Sequence, residues 1–540
     1  MVNPPEKWDV ETDVCVLGSG ATALTAAILA SDGGADVGVF EKGDLLGGTS
    51  AISGGVLWIP NNPHMQKAGL EDSREDALDY LESLSLGRME TDLIETFVDT
   101  GPEMVSYLEE HTPAGWHVFD GYPDYHPENP GGKPNGGRAL DENLFAYEEL
   151  GTWRNAINHS LAPPSPVTMV EAMNMGSLDQ SLLPERQKKN MRAMGQALVG
   201  SLLKACLNRE IPVKTGTRGR DLVRSEDGAV IGIRAEDKGK EIYVKARKAV
   251  VLATGGFEWN EKLVKSFLRG PMTGPMSPPE NEGDGLLMAM EIGASLGNMS
   301  EAWWMPAFRI PGETIRGKPY FQLCLTERTF PRSMMVNSTG NRFTNEAANY
   351  NAIGRAFHAF DATSFEFSNL PAWLIFDGVY KEKYPVPDRI VRQANSLREL
   401  AALIEVDPDG LEAQVERFNA NVAKGEDPEF HRGRSVYDHF NGDLSQERPF
   451  TTLGPLDTPP YFAIEIVSGA LGTKGGPRTN TKSQVLDTKD NVIPGLYAAG
   501  NAMSASTALV YGGAGGTLGP GMTFGYLAGL NAAQEPNHID

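Results

Sequence analysis

Between residues 13 and 41 the hydrophobic pattern changes period twice. Residues 13–17 (DVCVL) form the unbroken apolar run of a strand covered on both faces. Residues 23–31 (ALTAAILAS) are rich in alanine and leucine and predict a helix. Residues 36–40 return to a β-rich run that ends at Glu41. Strand, helix and strand in that order predict a βαβ unit. Helix is predicted near 72–110 and again at 193–208, and residues 223–244 alternate like a hairpin turning at Glu226-Asp227-Gly228. Residues 249–252 predict an apolar strand, and 120–138, dense in Pro, Gly and Asn, predict a loop. Residues 139–192 show no clear period. From 301 to 455 the texture turns aromatic and proline-rich, then amphipathic, with helices predicted at 396–404 and 411–423. The glycine-rich texture returns at 495–501 and 512–529. The expected fold is α/β: a Rossmann-like nucleotide domain split between 1–300 and 456–540, around an inserted α+β domain at 301–455.

Glycines mark the breaks. Gly18-Ser19-Gly20-Ala21-Thr22-Ala23 joins the first strand to the first helix. Gly18 allows the tight turn, and Gly20 lets backbone N–H groups reach a pyrophosphate at the helix's positive end. Glu41 falls 23 residues after Gly18, close to the roughly 20 expected for a ribose-binding carboxylate. Lys42 follows it. Gly47-Gly48-Thr49-Ser50 and Ser53-Gly54-Gly55 offer bare backbone to a diphosphate and ring, although glycine serves plain turns as well. Ala253, Thr254, Gly255 and Asp284 complete the N-terminal candidates. At the other end a strand finishes at Gly500-Asn501, and Gly515-Gly516-Thr517-Leu518-Gly519-Pro520 leads into a helix, where proline suits the first turn. A helix N-terminus there would favour an anionic reduced flavin. The two motifs together point to FAD rather than NAD, held non-covalently, since neither contains histidine or cysteine.

The chain is long enough for two or three domains at 540 residues and 58.4 kDa. Its 71 acidic against 48 basic residues give a formal charge of −23, which repels phosphate backbones and excludes nucleic acid as the expected partner. Cys15, Cys206 and Cys324 form no CxxC pair, and the nine histidines show no HExxH spacing, so neither a disulfide framework nor a metal centre is expected. Residues 1–8 (MVNPPEKW) do not read as a secretory signal, and no apolar run reaches eighteen residues. The expectation is a cytoplasmic protein without a transmembrane segment. A lipophilic substrate would leave room for peripheral membrane contact.

At VLGSGATALTAA, FEKGDLLGGTSAISGG, YPDYHPE, GNRFTNEAANY, EFHRG, LGTKGG, GLYAAGN and YGGAGGTLGP the chain resembles the fumarate-reductase-type flavoproteins, and among them the 3-ketosteroid Δ1-dehydrogenases. The resemblance spans nearly the whole chain. It implies an FAD domain with a smaller catalytic domain closing over the flavin, and 1,2-desaturation of a 3-ketosteroid in steroid catabolism. In that family a tyrosine takes the C2 proton, the C1 hydride goes to flavin N5, and a tyrosine and a backbone amide polarise the C3 ketone. The matching positions are Tyr350 for the base, Tyr125 for the phenol assisting it, and Tyr511 with the Gly515 N–H for the ketone clamp. His431 matches the family but is expected to be structural. Two departures stand out. Gly512 replaces the usual proline after the clamp tyrosine and should loosen that loop, and Asn349 replaces a proline before the base.

Two other activities compete. A fumarate- or urocanate-type reductase would need cations for a dicarboxylate, yet residues 468–476 read SGALGTKGG and 500–521 contain no arginine. A Δ4-(5α)-ketosteroid dehydrogenase, or another enone-forming flavoenzyme, would not be expected to carry YGGAGG. A catalytically silent flavoprotein is disfavoured by the complete tyrosine set. The preferred steroid, the oligomeric state and the electron acceptor, whether quinone, dioxygen or dye, stay open.

Overall fold

The computed structural model describes residues 4–161, 165–173 and 178–539. Part of the 139–192 stretch and residues 1–3 of the N-terminal segment therefore lie outside the described residues.

Val10–Leu17 pairs in parallel with Val37–Phe40 on one side and Lys240–Leu252 on the other. Val37–Phe40 continues to Val213–Lys214, and Lys240–Leu252 to Val492–Ala498, again in parallel. Residues from both chain ends thus share one sheet, and the nucleotide part is discontinuous as expected. An antiparallel meander, Thr217–Arg224 and Val230–Asp237, hangs from Lys240–Leu252. Val14, Cys15, Val16 and Leu17 are all buried, which is why this strand reads as a continuous apolar run. The helices Ala21–Asp32 and Leu518–Gln534 pack against each other with buried Ala26, Gly525 and Gly529, small residues that permit close approach.

A second sheet has seven strands. Ala302–Ile315 pairs with Lys318–Leu323 and with Tyr461–Thr473, and the latter pairs with Ala372–Phe376, Arg392–Ala394 and Gly274–Pro275. The expected 301–455 insertion is therefore too narrow, because residues 274–275 and 461–473 also belong to this sheet. The glycine-rich end of Tyr461–Thr473 resembles the C-terminal segments in composition but pairs elsewhere. Residues 72–110 form two helices, Arg74–Ser85 and Thr91–His111, parted at Leu86 by a left-handed backbone (φ 50°). Leu397–Leu403 and Pro408–Val422 follow the predicted helices, capped by Ser396 and Asp407.

The three cysteines are buried thiols. Among the described residues no helix is long and apolar enough to cross a membrane, and no cluster of His, Cys, Asp and Glu could hold a metal.

Candidate active site

One cavity collects residues from both ends of the chain and from both sheets. Gly18, Gly20, Thr22, Glu41 and Lys42 line it from the first βαβ unit. Gly48, Thr49, Ser50, Ser53, Gly54 and Gly55 line it from the short helix Gly48–Ile52 and the turn after it. Ala253, Thr254, Gly255 and Asp284 bound one side, and Gly500, Asn501, Thr517 and Leu518 another. Four expected residues do not reach the cavity. Ala21 and Ala23 are buried within the first turn of the helix Ala21–Asp32, Gly47 backs onto Ala51 and Val199, and Gly516 lies behind the Tyr511 ring.

The lining suits a flavin dinucleotide. Gly18 has φ +106°, and a Cβ there would stand 2.3 Å from the Ala253 carbonyl oxygen, so only glycine makes this turn. At the starts of the helices Ala21–Asp32 and Leu518–Gln534 the Ala21 N–H is given to Ser50 Oγ and the Gly519 N–H to the Gly515 carbonyl, while among the described residues the N–H groups of Thr22 and Leu518 have no protein acceptor and are left for phosphate and ring oxygens. The half-buried Glu41 carboxylate accepts from Ser19 Oγ at 2.5 Å and from the Gly43 N–H at 2.7 Å. Burial pushes its carboxyl up, while Ser19 and Gly43 pull it down. Lys42 and Asp284 serve each other: Lys42 Nζ lies 2.7 Å from Glu282 and 2.9 Å from Asp284, and Arg218 also pairs with Asp284. They brace the wall at the dinucleotide end.

At the cavity's other end the three tyrosines converge. The Tyr125 hydroxyl donates to the Tyr350 hydroxyl oxygen at 2.7 Å. The Tyr125–Tyr350, Tyr125–Tyr511 and Tyr350–Tyr511 ring centroids are 5.3, 5.2 and 5.4 Å apart. Thr517 Oγ1 donates to the Tyr511 hydroxyl at 3.2 Å. Gly515 lines the same end with φ +93°, where a Cβ would meet the Val56 oxygen at 2.4 Å. Among the described residues its N–H has no protein acceptor. Burial drives the Tyr125, Tyr350 and Tyr511 phenols above their ordinary pKa; for Tyr350 the Tyr125 hydrogen bond works in the opposite direction, and burial prevails.

The segments carrying these tyrosines are tied together. The Gly512 carbonyl accepts from the Tyr80 hydroxyl at 2.6 Å and the Tyr125 N–H at 2.9 Å, and Tyr80 in turn accepts from the His126 N–H. Gly512 also lies against Trp58, 2.7 Å from where a Cβ would be. The loosening expected there is therefore not found: two donors and an indole hold the glycine. Asn349 caps the helix Tyr350–Ala356 by accepting from the Ala352 N–H, and its amide meets His126 Nε2 at 3.0 Å. It starts the helix that carries Tyr350 and joins it to the Tyr125 loop, which a proline could not do.

Buried charges fix the same loops. Arg342 pairs with Glu346 at 2.7 Å and Asp427 at 2.9 Å, and Arg432 reaches Glu346 at 3.2 Å. Arg138 joins Asp72 and Asp124, and Asp124 also accepts from Trp58 Nε1 at 2.8 Å. EFHRG thus contributes through Arg432, while His431 sits exposed in a turn with φ 58°.

Beyond the tyrosines the chamber is apolar, lined by Phe119, Met169, Met173, Met276, Leu325 and Leu471. Met169 and Met173 belong to the short helix Met169–Met173 within the stretch that showed no period. Asp141 holds that helix by accepting from the Val170 N–H at 2.8 Å, and Arg186 by pairing with Glu171 at 2.7 Å. Sequence reasoning missed these methionines; one i,i+4 pair flanking Glu171 was the only signal in the segment, too short a period to stand out. Tyr122, treated only as part of the Tyr125 motif, lines the chamber too, and Ser19, passed over between two glycines, fixes Glu41.

Comparison with known proteins gives the same picture. The FAD binding domain family matches residues 13–518. A 4-oxocyclohexanecarboxylate 2-dehydrogenase of Sinomonas cyclohexanicum is 42% identical over 98% of this chain and 94% of its own length. A 3-oxosteroid 1-dehydrogenase of Mycobacterium tuberculosis is 36% identical over 97% of this chain and 99% of its own. The crystal structure of a 3-ketosteroid Δ1-dehydrogenase from Sterolibacterium denitrificans with 1,4-androstadiene-3,17-dione superposes with a TM-score of 0.90 at 35% identity, covering 97% of this chain and 99% of that one.

Proposed function

We propose, from the premise that this chain belongs to the FAD-binding-domain flavoproteins and, within them, to the family of the 3-oxosteroid 1-dehydrogenases, that it desaturates the C1–C2 bond of a 3-ketosteroid. The observation that carries this reading is the convergence of Tyr125, Tyr350 and Tyr511 at the end of a flavin-shaped cavity. Bound FAD supplies the two-electron acceptor for the hydride that leaves C1. Tyr350 takes the C2 proton onto its phenol oxygen. Tyr125 donates to that oxygen and so offsets part of the cost of a buried phenolate. Tyr511 and the Gly515 N–H hold the C3 oxygen, where charge gathers as the proton leaves, and preorganised donors at such a point supply a large share of catalysis. The aromatic and methionine walls enclose the carbon skeleton and exclude water.

The higher identity to a dehydrogenase of 4-oxocyclohexanecarboxylate raises a second reading, a monocyclic keto acid as substrate. Its carboxylate would need a cation in the chamber. Among the described residues the cavity's basic side chains are Lys42 and Arg316, and both are engaged at the dinucleotide end, Arg316 with Glu280 at 2.9 Å. A carboxylate left unpaired among Phe119, Met173 and Leu471 would be strongly disfavoured. A neutral fused-ring ketone suits the walls better. Anaerobic mixing of the holoenzyme with each compound separates the two: androst-4-ene-3,17-dione is expected to bleach the flavin, and 4-oxocyclohexanecarboxylate to leave it oxidised. The reverse result would replace the steroid with the keto acid, and no bleaching by either would remove both.

A further inference from the structure

One fully buried lysine near the ketone clamp has no counter-charge at ion-pair distance among the described residues. Lys474 Nζ donates to the Val510 carbonyl at 2.6 Å and stands 3.8 Å from the centroid of the Trp303 ring. Trp303 packs edge-on against the Tyr511 ring, 4.9 Å between centroids, and its Nε1 donates to Asn501 at 2.8 Å. Lys474 therefore touches both the peptide immediately before Tyr511 and the indole on which the phenol rests. Its own backbone is held from both directions, by Glu301 O at 2.9 Å and the Ala505 N–H at 3.0 Å.

The same support reaches the base. Arg355 lies five residues after Tyr350 on one helix, pairs with Glu301 at 2.6 Å and approaches the Leu509 carbonyl at 3.4 Å. The carbonyls of Leu509 and Val510, the two residues before Tyr511, thus face Arg355 and Lys474 respectively. A buried amine with one acceptor and an aromatic face is costly, and an apolar side chain of similar length would fill the space with less desolvation. Packing alone does not account for it. Burial also holds this amine well below the ordinary lysine range, so it can donate its hydrogen bond without placing a full charge behind the clamp.

We propose that Lys474 is a positioning residue for the ketone clamp, acting through Tyr511 by anchoring the Val510 carbonyl and the Trp303 ring. The proposal rests on the desaturase reading, in which the Tyr511 phenol must meet the ketone oxygen. A misplacement of about 1 Å at such a site costs on the order of 10²-fold in rate.

The test compares wild type, Lys474→Met, Tyr511→Phe and the double variant as holoenzymes. Lys474→Met is expected to keep its FAD and to lose roughly 10–100-fold in kcat with a smaller change in KM. The carbonyl stretch of bound 1,4-androstadiene-3,17-dione, read by difference infrared spectroscopy, should move from the wild-type position toward that of Tyr511→Phe. The double variant should be no slower than Tyr511→Phe alone, because both changes remove the same contact. A kcat within twofold of wild type, an unshifted carbonyl band or fully additive losses would each overturn the proposal. If Lys474→Met does not fold, Lys474→Gln is read by the same criteria, with a loss of about 3–10-fold expected because a donor is kept but shortened. If wild type itself does not turn over the steroid, the desaturase reading fails instead, so the two failures are distinguishable.

Discussion

Tyr350 rests with its proton on. Burial raises its phenol, so the fraction present as base grows with pH across the neutral range. The kcat/KM for the ketone should therefore climb with pH along an acid limb of about unit slope. Tyr125→Phe removes the donor that lowers Tyr350 and should move that limb to higher pH while slowing turnover; an unmoved limb would show that Tyr125 does not assist the base. Tyr511 is raised as well, mainly by burial, so it rests with its proton on, as a donor to the ketone oxygen must. Tyr511→Phe should cost about 10²–10³ in kcat with flavin absorbance intact. That Tyr125, Tyr350 and Tyr511 belong to one place was legible because each sits in a motif with several fixed neighbours. Met169 and Met173 were not, since a five-residue helix carries too little period to stand out.

The element that presents Tyr350, the proposed base, is a helix of only seven residues, Tyr350–Ala356, too short to stand alone. Asn349 starts it, and the charges of Arg342, Glu346, Asp427 and Arg432 hold the segment before it. Burial raises the Glu346 carboxyl, but Arg342 and Arg432 outweigh burial and keep it below its ordinary value. A carboxylate depressed in the folded state stabilises the fold above its unfolded pKa, and that contribution is lost as pH falls through the folded value. Glu346→Gln should thus destabilise by about 3–5 kcal/mol near pH 7. The gap from wild type should narrow below about pH 4.3, where the unfolded chain takes up the proton while folded Glu346 still keeps its charge, and should close as pH falls through the folded value; denaturant unfolding at several pH values reads it. A constant gap would mean that the amide harms packing rather than charge. None of this network was visible in the chain, because its members come from separate segments whose pairing is decided only by the fold. Gly512 teaches a related point: local flexibility predicted a loose loop, while donors from Tyr80 and Tyr125 hold it.

At the scale of the whole molecule, two sheets built from interleaved stretches of sequence meet along one cavity. The βαβ unit was readable since its strand, glycine turn, helix and acid follow in order. The second sheet was harder to delimit, because Gly274–Pro275 and Tyr461–Thr473 join it from outside the compositional change. A cofactor spanning residues from both ends of the chain should stabilise them together. Stripping FAD should lower the melting temperature, and restoring it at 100 times Kd should return about 2.7 kcal/mol; a melting temperature indifferent to FAD would contradict that placement.

The proposed role of Tyr350 is to remove a proton from a ketone held over the flavin. It is tested most directly by anaerobic titration of wild-type and Tyr350→Phe holoenzymes with androst-4-ene-3,17-dione, following flavin absorbance and steroid products together. Wild type should bleach with formation of the 1,4-diene, while Tyr350→Phe should bind the steroid and stay oxidised. Bleaching of Tyr350→Phe at the wild-type rate would contradict that role.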